Sequence, residues 1–275
     1  MPLKLGILAG HGPLPPRLIS TCRASGREMF IVAFEGETDP EVIGDTPHIW
    51  TRLGAVGAVL KALRDAEVGE VCLCGKMRRP ELSKLKFDWR GVKLLGRLAR
   101  ATTGGDDALF KVIVEELESE GFRIVGADEL LSELLAPAGV LGVVAPDARA
   151  REDIEVGVRA AREVGARDLG QGAVVESGVV LDVEGTDGTD ALLSRCAERA
   201  RPGGVLVKVM KPHQERRVDL PTIGIETIRR AHAAGLSGIA VEAGRSLIID
   251  LPNVRREADE AGLFLVGIEV DSDPA

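Results

Sequence analysis

An α/β fold of two units, the first Rossmann-like with a mostly parallel sheet, is the architecture this sequence predicts. Three observations predict it. Short apolar runs of strand length alternate with amphipathic stretches of helix length along the whole chain. Glycine and proline punctuate the joins between them. At 275 residues, 45% hydrophobic, the chain is long and apolar enough for two α/β domains of ordinary size.

In order, Leu3 to Ala9 reads as a buried strand, Leu14 to Ala24 as a helix and Met29 to Phe34 as a second strand. His48 to Trp50 follows, then a helix from Gly54 to Asp65 and the strand Glu70 to Cys74. Helices over Val92 to Ala101 and Ala108 to Glu120, separated by a Gly-Gly-Asp-Asp turn, lead to the strand Phe122 to Val125. The small residues of 136–142, with their proline and glycines, read as a linker between domains 1–135 and 143–275. Beyond it, Asp147 to Val164 is an amphipathic helix with Asp147 near its N-cap. Two strand segments within Val174 to Val183 flank a tight turn at Glu176-Ser177-Gly178. The second domain continues as helix Asp190–Arg199, strand Val205–Met210, helix Ile225–Ala234, strands Gly238–Glu242 and Leu247–Asp250, helix Val254–Glu260 and strand Phe264–Val270.

A formal net charge of −8 argues against a nucleic-acid partner, because displacing counterions from phosphate needs a basic face. The densest local basic run is Lys76 to Arg79 with Lys84, Lys86 and Arg90. Cys22, Cys72, Cys74 and Cys196 lack C-x-x-C spacing and read as buried free thiols of a reducing compartment. The N-terminus enters a strand without a secretory core, and no apolar stretch reaches the roughly 18 residues of a membrane span. A cytoplasmic protein is expected.

Several loops carry candidate chemistry. Gly6 to Gly12 follows the first strand and opens the first helix, where free N–H groups attract phosphate; Gly10, His11 and Gly12 are its binding candidates. The spacing is not G-x-G-x-x-G, and a turn packed close to its helix explains it as well. Gly75-Lys76-Met77-Arg78-Arg79-Pro80 ends another parallel strand, the edge where open α/β sheets bind ligands, and a solvated basic loop explains it as well. Gly104 to Asp107 reads first as a helix cap and second as a metal or sugar-hydroxyl contact.

The second half is richer. Glu184, Asp187 and Asp190, set among glycines and threonines, form the kind of oxygen-rich loop Mg²⁺ prefers, with Asp190 also expected to cap a helix. Lys208 to Gly224 delivers Lys208 and Lys211 from a strand end, then Asp219, then the rigid Pro221-Thr222-Ile223-Gly224 turn. Cations and a carboxylate on rigid loops suit phosphoryl chemistry, through charge neutralisation, metal anchoring and water orientation. His213 and His232 read as surface residues. Serine-hydrolase elbows, Walker loops and H-E-x-x-H are missing, which favours attack by water over a side-chain nucleophile.

Taken together these segments resemble the LpxI family of UDP-2,3-diacylglucosamine pyrophosphatases. The resemblance runs from Leu5-Gly6-Ile7-Leu8-Ala9-Gly10 to Gly262–Gly267. Its specific parts are Gly75–Pro80, Gly105–Leu109, Asp187–Asp190, Lys211-Pro212 with Asp219–Gly224, and Gly238–Gly244. It implies Mg²⁺-dependent hydrolysis to UMP and 2,3-diacylglucosamine 1-phosphate, water attacking the β-phosphorus, with the substrate in a cleft between two domains. On that reading Asp219 is the catalytic or metal-binding carboxylate, and Asp187, Asp190 and Glu184 are its metal neighbours. Lys208 and Lys211 neutralise the pyrophosphate, Thr222 is a further catalytic residue, and Gly10, His11, Gly12, Gly75, Lys76, Arg79, Gln171 and Thr189 line the substrate. Asp187 stands where the family has Glu, Glu215 where it has Asp, His213 where it has Gly and Ile225 where it has Pro. A lipid substrate further implies transient contact with the inner membrane face; a homo-oligomer is left open.

Two rivals make different predictions. A dinucleotide-dependent oxidoreductase fits the first unit's topology but not its glycine spacing, and would perturb nicotinamide fluorescence. A nucleotide-sugar binding or regulatory protein would bind UDP-sugar without turnover.

Overall fold

The computed structural model describes residues 2–77, 86–98, 106–199 and 203–271. The chain divides into two compact units, Met1–Ser132 with Glu215–Val218, and Glu133–Gln214 with Asp219–Ala275. Arg79 and the Gly104-Gly105 pair lie outside the described residues.

The first unit comprises β1 (Leu5–Ala9), α1 (Leu14–Ser25), β2 (Met29–Phe34), α2 (Pro40–Ile43), β3 (His48–Thr51), α3 (Val56–Asp65), β4 (Glu70–Cys74), α4 (Trp89–Leu98), α5 (Asp106–Ser119), β5 (Arg123–Ile124) and α6 (Ala127–Leu130). Its five strands pair in the order β3-β2-β1-β4-β5, every pair parallel. That is the expected Rossmann-like sheet: each β-α step returns the chain to the same edge, so strands covered by helices can be wholly apolar. Leu8, Val32 and Val71 pack with Leu60 and Leu63 of α3 and Val114 and Leu117 of α5. Burying a Leu or Val of this kind contributes about 1.5–3 kcal/mol. Four residues from late in the sequence join this unit. Val218 packs on its core, Arg216 Nε bonds Asp128 Oδ2 at 2.8 Å, and Arg217 Nη1 bonds Glu118 Oε1 at 2.6 Å.

The second unit comprises β6 (Gly139–Val140), α7 (Ala148–Ala166), β7 (Gly172–Glu176), β8 (Val179–Val183), α8 (Gly188–Ala197), β9 (Val205–Lys208), β10 (Thr222–Ile223), α9 (Ile225–Ala233), β11 (Gly238–Glu242), β12 (Leu247–Ile248), α10 (Leu251–Glu260) and β13 (Phe264–Ile268). Six strands pair as β6-β13-β11-β9-β7-β8, the central β13, β11 and β9 mutually parallel and the outer ones antiparallel. The period of two sorts the core. Ala173, Val205, Val207, Ala240 and Phe264 share a cluster with Ala150, Ile154 and Ala161 of α7. Val174, Leu206, Ile239, Val241 and Leu265 share another with α8, α9 and α10 residues such as Leu192, Ile228 and Val254. Asp147 caps α7, its Oδ1 accepting from the Ala150 N–H at 2.7 Å. The turn expected at Glu176–Gly178 is tight, with φ of 55° at Ser177 and 75° at Gly178. The buried Asp153 accepts both of their N–H groups.

Residues 136–142 are no free linker. Ala136 is buried with its N–H on Ser246 O at 2.9 Å, and Gly139–Val140 pair with β13, so the segment is built into the second sheet. Asp190 does not cap α8; that helix begins two residues earlier, and Asp190 sits in its first turn. Helix α10 starts at Leu251, because Pro252 in a first turn needs no N–H partner. The four cysteines are free and buried, and burial pushes the Cys22 and Cys196 thiols up. No described helix is long and apolar enough to cross a membrane.

Candidate active site

In the second unit, one sheet edge gathers most of the expected residues. β9 ends at Lys208, which pairs on one side with Val241 of β11 and on the other with Gly172 at the start of β7. Because β7 runs antiparallel to β9, Gln171 enters at this same edge; β8 in turn runs back to it and leaves Glu184 there. The Glu184 N–H bonds Gly172 O at 2.8 Å, and the Val209 N–H bonds Gln171 O at 3.0 Å.

Lys208 is only 6% exposed. Its Nζ donates to Thr189 Oγ1 at 2.6 Å, and it pairs with no carboxylate among the described residues. A buried cation without a counter-ion is costly to the fold, and an incoming anion removes that cost. Lys211 is equally buried, but Asp168 Oδ1 meets its Nζ at 2.6 Å. The two lysines are therefore not equivalent: Lys211 carries its own counter-charge.

Asp219 is held by Gln214. The Gln214 amide donates from Nε2 to Asp219 Oδ2 at 2.5 Å and to Gln171 Oε1 at 3.3 Å, while its Oε1 accepts the Lys211 N–H at 2.9 Å. These three bonds fix which way the amide faces. With its Oε1 accepting, Gln171 presents its own NH₂ as a donor. Thr222 opens β10, and its hydroxyl donates back to Leu220 O at 3.0 Å, serving the turn after Asp219.

The four expected metal carboxylates are not gathered into one group, and no cluster of three metal-capable side chains occurs among the described residues. Asp187 is half-exposed and bonded to Arg195, whose guanidinium also holds Asp182 at 2.8 Å and the Val183 carbonyl at 3.1 Å. Arg195 clamps the loop that Asp187 was expected to turn towards a metal. Burial is the largest influence on the Asp182 carboxyl and works to raise it, but the Arg195 hydrogen bond, the Val183 N–H and the charges of Arg195 and Arg199 together leave the group below its ordinary range. Asp190 is exposed and lies 3.5 Å from Arg230. Glu184 differs: it is 6% exposed, and its buried Oε2 has no hydrogen-bond partner. Mg²⁺ uses one or two protein carboxylates and completes its shell with water and phosphate. Glu184, with Asp219 on the same edge, fits that demand.

The first unit brings two expected loops together. His11 and Lys76 exchange backbone hydrogen bonds at 2.9 Å in both directions, and the Gly10 N–H bonds Cys74 O at 2.8 Å. A Cβ on Gly10 would lie 2.3 Å from the Lys76 carbonyl oxygen, and one on Gly75, at φ 94°, 2.9 Å from the His11 carbonyl oxygen. Close approach of two backbones explains these glycines without a ligand. Gly12 and Lys76 are exposed, and His11 Nδ1 lies 3.5 Å from Glu37.

A family model described as the LpxI N-terminal domain matches residues 4–134, and one described as the LpxI C-terminal domain matches residues 137–266. The chain is 45% identical to the UDP-2,3-diacylglucosamine pyrophosphatase LpxI of Caulobacter vibrioides, across 98% of this chain and 99% of that protein. The chain belongs to the LpxI family.

Sequence reasoning reached the LpxI family but missed three residues that build this edge. Gln214 lay inside the richest segment and drew no notice, because a glutamine carries no charge pattern. Asp168 follows a helix and reads as a solvated end. Glu242 had a legible signal, as the one carboxylate closing the apolar strand β11. It is 3% exposed, and its Oε2 accepts the Met210 N–H at 2.9 Å, fixing the backbone between the two lysines. His213 and His232 are exposed, as expected of surface residues.

Proposed function

We propose that this chain hydrolyses the pyrophosphate of UDP-2,3-diacylglucosamine, giving UMP and 2,3-diacylglucosamine 1-phosphate. Identity of 45% along nearly the whole of a relative named for that activity supports the reading. The observation that carries its chemistry is the buried Lys208 ammonium with no carboxylate partner among the described residues.

Water adds to the β-phosphorus, the bond from that phosphorus to the bridging oxygen breaks, and the oxygen leaves with UMP. Negative charge grows on the bridging oxygen as this happens. Lys208, steadied by Thr189, meets that charge from a position already withdrawn from water, where an ammonium acts strongly and needs little reorganisation. Asp219, oriented by Gln214, accepts a hydrogen bond from the attacking water and takes its proton. The Gln171 amide donates to a phosphate oxygen. Mg²⁺, when bound, supplies Lewis-acid polarisation of the phosphate oxygens, with Glu184 and Asp219 as the side chains that would hold it. In the first unit, the reading assigns Gly12, His11 and Lys76 at the bridged loops to substrate contact. A diacyl substrate brings the protein into transient contact with a membrane surface.

UMP release from UDP-2,3-diacylglucosamine, measured with Mg²⁺ and with EDTA, tests the proposal. Turnover that requires the metal is expected. No release with any divalent cation would overturn it.

A further inference from the structure

Helix α4 in the first unit has one committed side. Gly91 is buried, Arg90 Nη1 bonds Glu116 at 3.4 Å as well as Glu120, and Arg97 reaches Glu116 at 2.9 Å and Glu115 at 2.6 Å on α5. The opposite side carries Trp89, Val92, Lys93 and Gly96, spaced i, i+3, i+4 and i+7, and all four are exposed. Trp89 is 81% exposed and Val92 52%. A single exposed apolar residue is ordinary; an indole and a valine one turn apart on one helix face, with Lys93 beside them and Lys86 just before the helix, form an amphipathic surface of interfacial type.

Charge points the same way. The chain as a whole carries −8, yet the described cations beside this face that α5 glutamates do not bond are the exposed Lys86 and Lys93. An apolar-tipped face edged by two exposed lysines on an acidic protein complements an anionic surface with an apolar interior. We propose that this face of α4 docks on an anionic phospholipid bilayer, with Trp89 and Val92 entering the headgroup region and Lys86 and Lys93 meeting lipid phosphates. The choice of a lipid partner rests on the diacyl substrate proposed above. Docking brings the enzyme to the phase in which such a substrate resides.

Binding of the full chain to vesicles of phosphatidylglycerol and phosphatidylethanolamine, against pure phosphatidylcholine, tests this. The chain has two tryptophans, so Trp50→Phe leaves Trp89 as the sole indole reporter. Its emission should shift to the blue on anionic vesicles and return at high salt. Trp89→Ala and Lys93→Glu should each weaken partitioning by at least about fivefold, while turnover of detergent-dispersed substrate stays within about twofold of wild type. An unshifted Trp89, equal partitioning by the variants, or a dimer in sedimentation velocity that Trp89→Ala dissolves would each overturn the proposal. Wild-type protein that binds vesicles through Trp89 but turns over no detergent-dispersed substrate would count against the functional reading alone.

Discussion

Lys208 donates to Thr189 Oγ1 at 2.6 Å from a position 6% exposed, whereas Lys211, three residues on and equally buried, is met by the Asp168 carboxylate. One lysine is neutralised inside the protein and the other waits on an anion. On the proposed function, the second is kept in the fold for the anion it meets there.

Lys208→Met should therefore separate activity from stability. Turnover falls by at least about 100-fold, since the charge that meets the leaving oxygen is gone. Stability stays level or rises by about 1–2 kcal/mol, because a buried unpaired charge is replaced by an apolar chain of similar length. Steady-state kinetics beside urea unfolding reads both quantities. Lys211→Met, which removes the ammonium beside the Asp168 carboxylate, should lower stability instead.

Gln214→Leu removes the donor to Asp219 and the acceptor for the Lys211 N–H together. The expected result is a kcat about 10- to 100-fold lower with KM little changed, and a stability loss of about 1–3 kcal/mol for the polar groups left unmet. An unchanged kcat would show that Asp219 needs no such support.

Gly10→Ala places a methyl group against the Lys76 carbonyl, a backbone atom that cannot swing away. A stability loss of about 1–3 kcal/mol is expected, seen as a lower Tm. Gly12→Ala, at φ 99° but with nothing near the added carbon, should be strained without the clash.

Acid should weaken the first unit through Glu215. The Arg217 guanidinium bonds its carboxylate at 2.9 and 2.8 Å and holds it below its ordinary 4.5. A carboxyl depressed by folding stabilises the folded state above its unfolded pKa. That contribution is lost as pH falls below 4.5 and through the folded value. Urea midpoints measured from about pH 6 down to about pH 3 should fall less steeply in Glu215→Gln than in wild type.

Much of this was legible in the sequence, for physical reasons. Strands such as Met29–Phe34 and Glu70–Cys74 stand out because burial on both faces makes them continuous apolar runs bounded by turns. Lys208 stands out in the sequence because a cation at the end of an apolar strand has few structural uses, and it lies buried at that strand end. What failed were readings based on composition alone. The segment 136–142 has a linker's residues, but Gly139 and Val140 complete a ladder with Val266 and Gly267, a partner more than a hundred residues away that no local pattern reveals. Asp187 and Asp190 looked like metal ligands by acidic density, yet their partners are Arg195 and Arg230, set by how α8 and α9 pack. Gln214 was invisible because its role depends on the direction of an amide.

Hydrolysis of UDP-2,3-diacylglucosamine in isotopically labelled water with Mg²⁺, by wild type and Asp219→Ala, tests the central claim most directly. Label in the phosphate of the lipid product and a loss of turnover of about a thousandfold in the variant are expected. Label in UMP would contradict attack at the β-phosphorus, and a variant as active as wild type would contradict the role of Asp219.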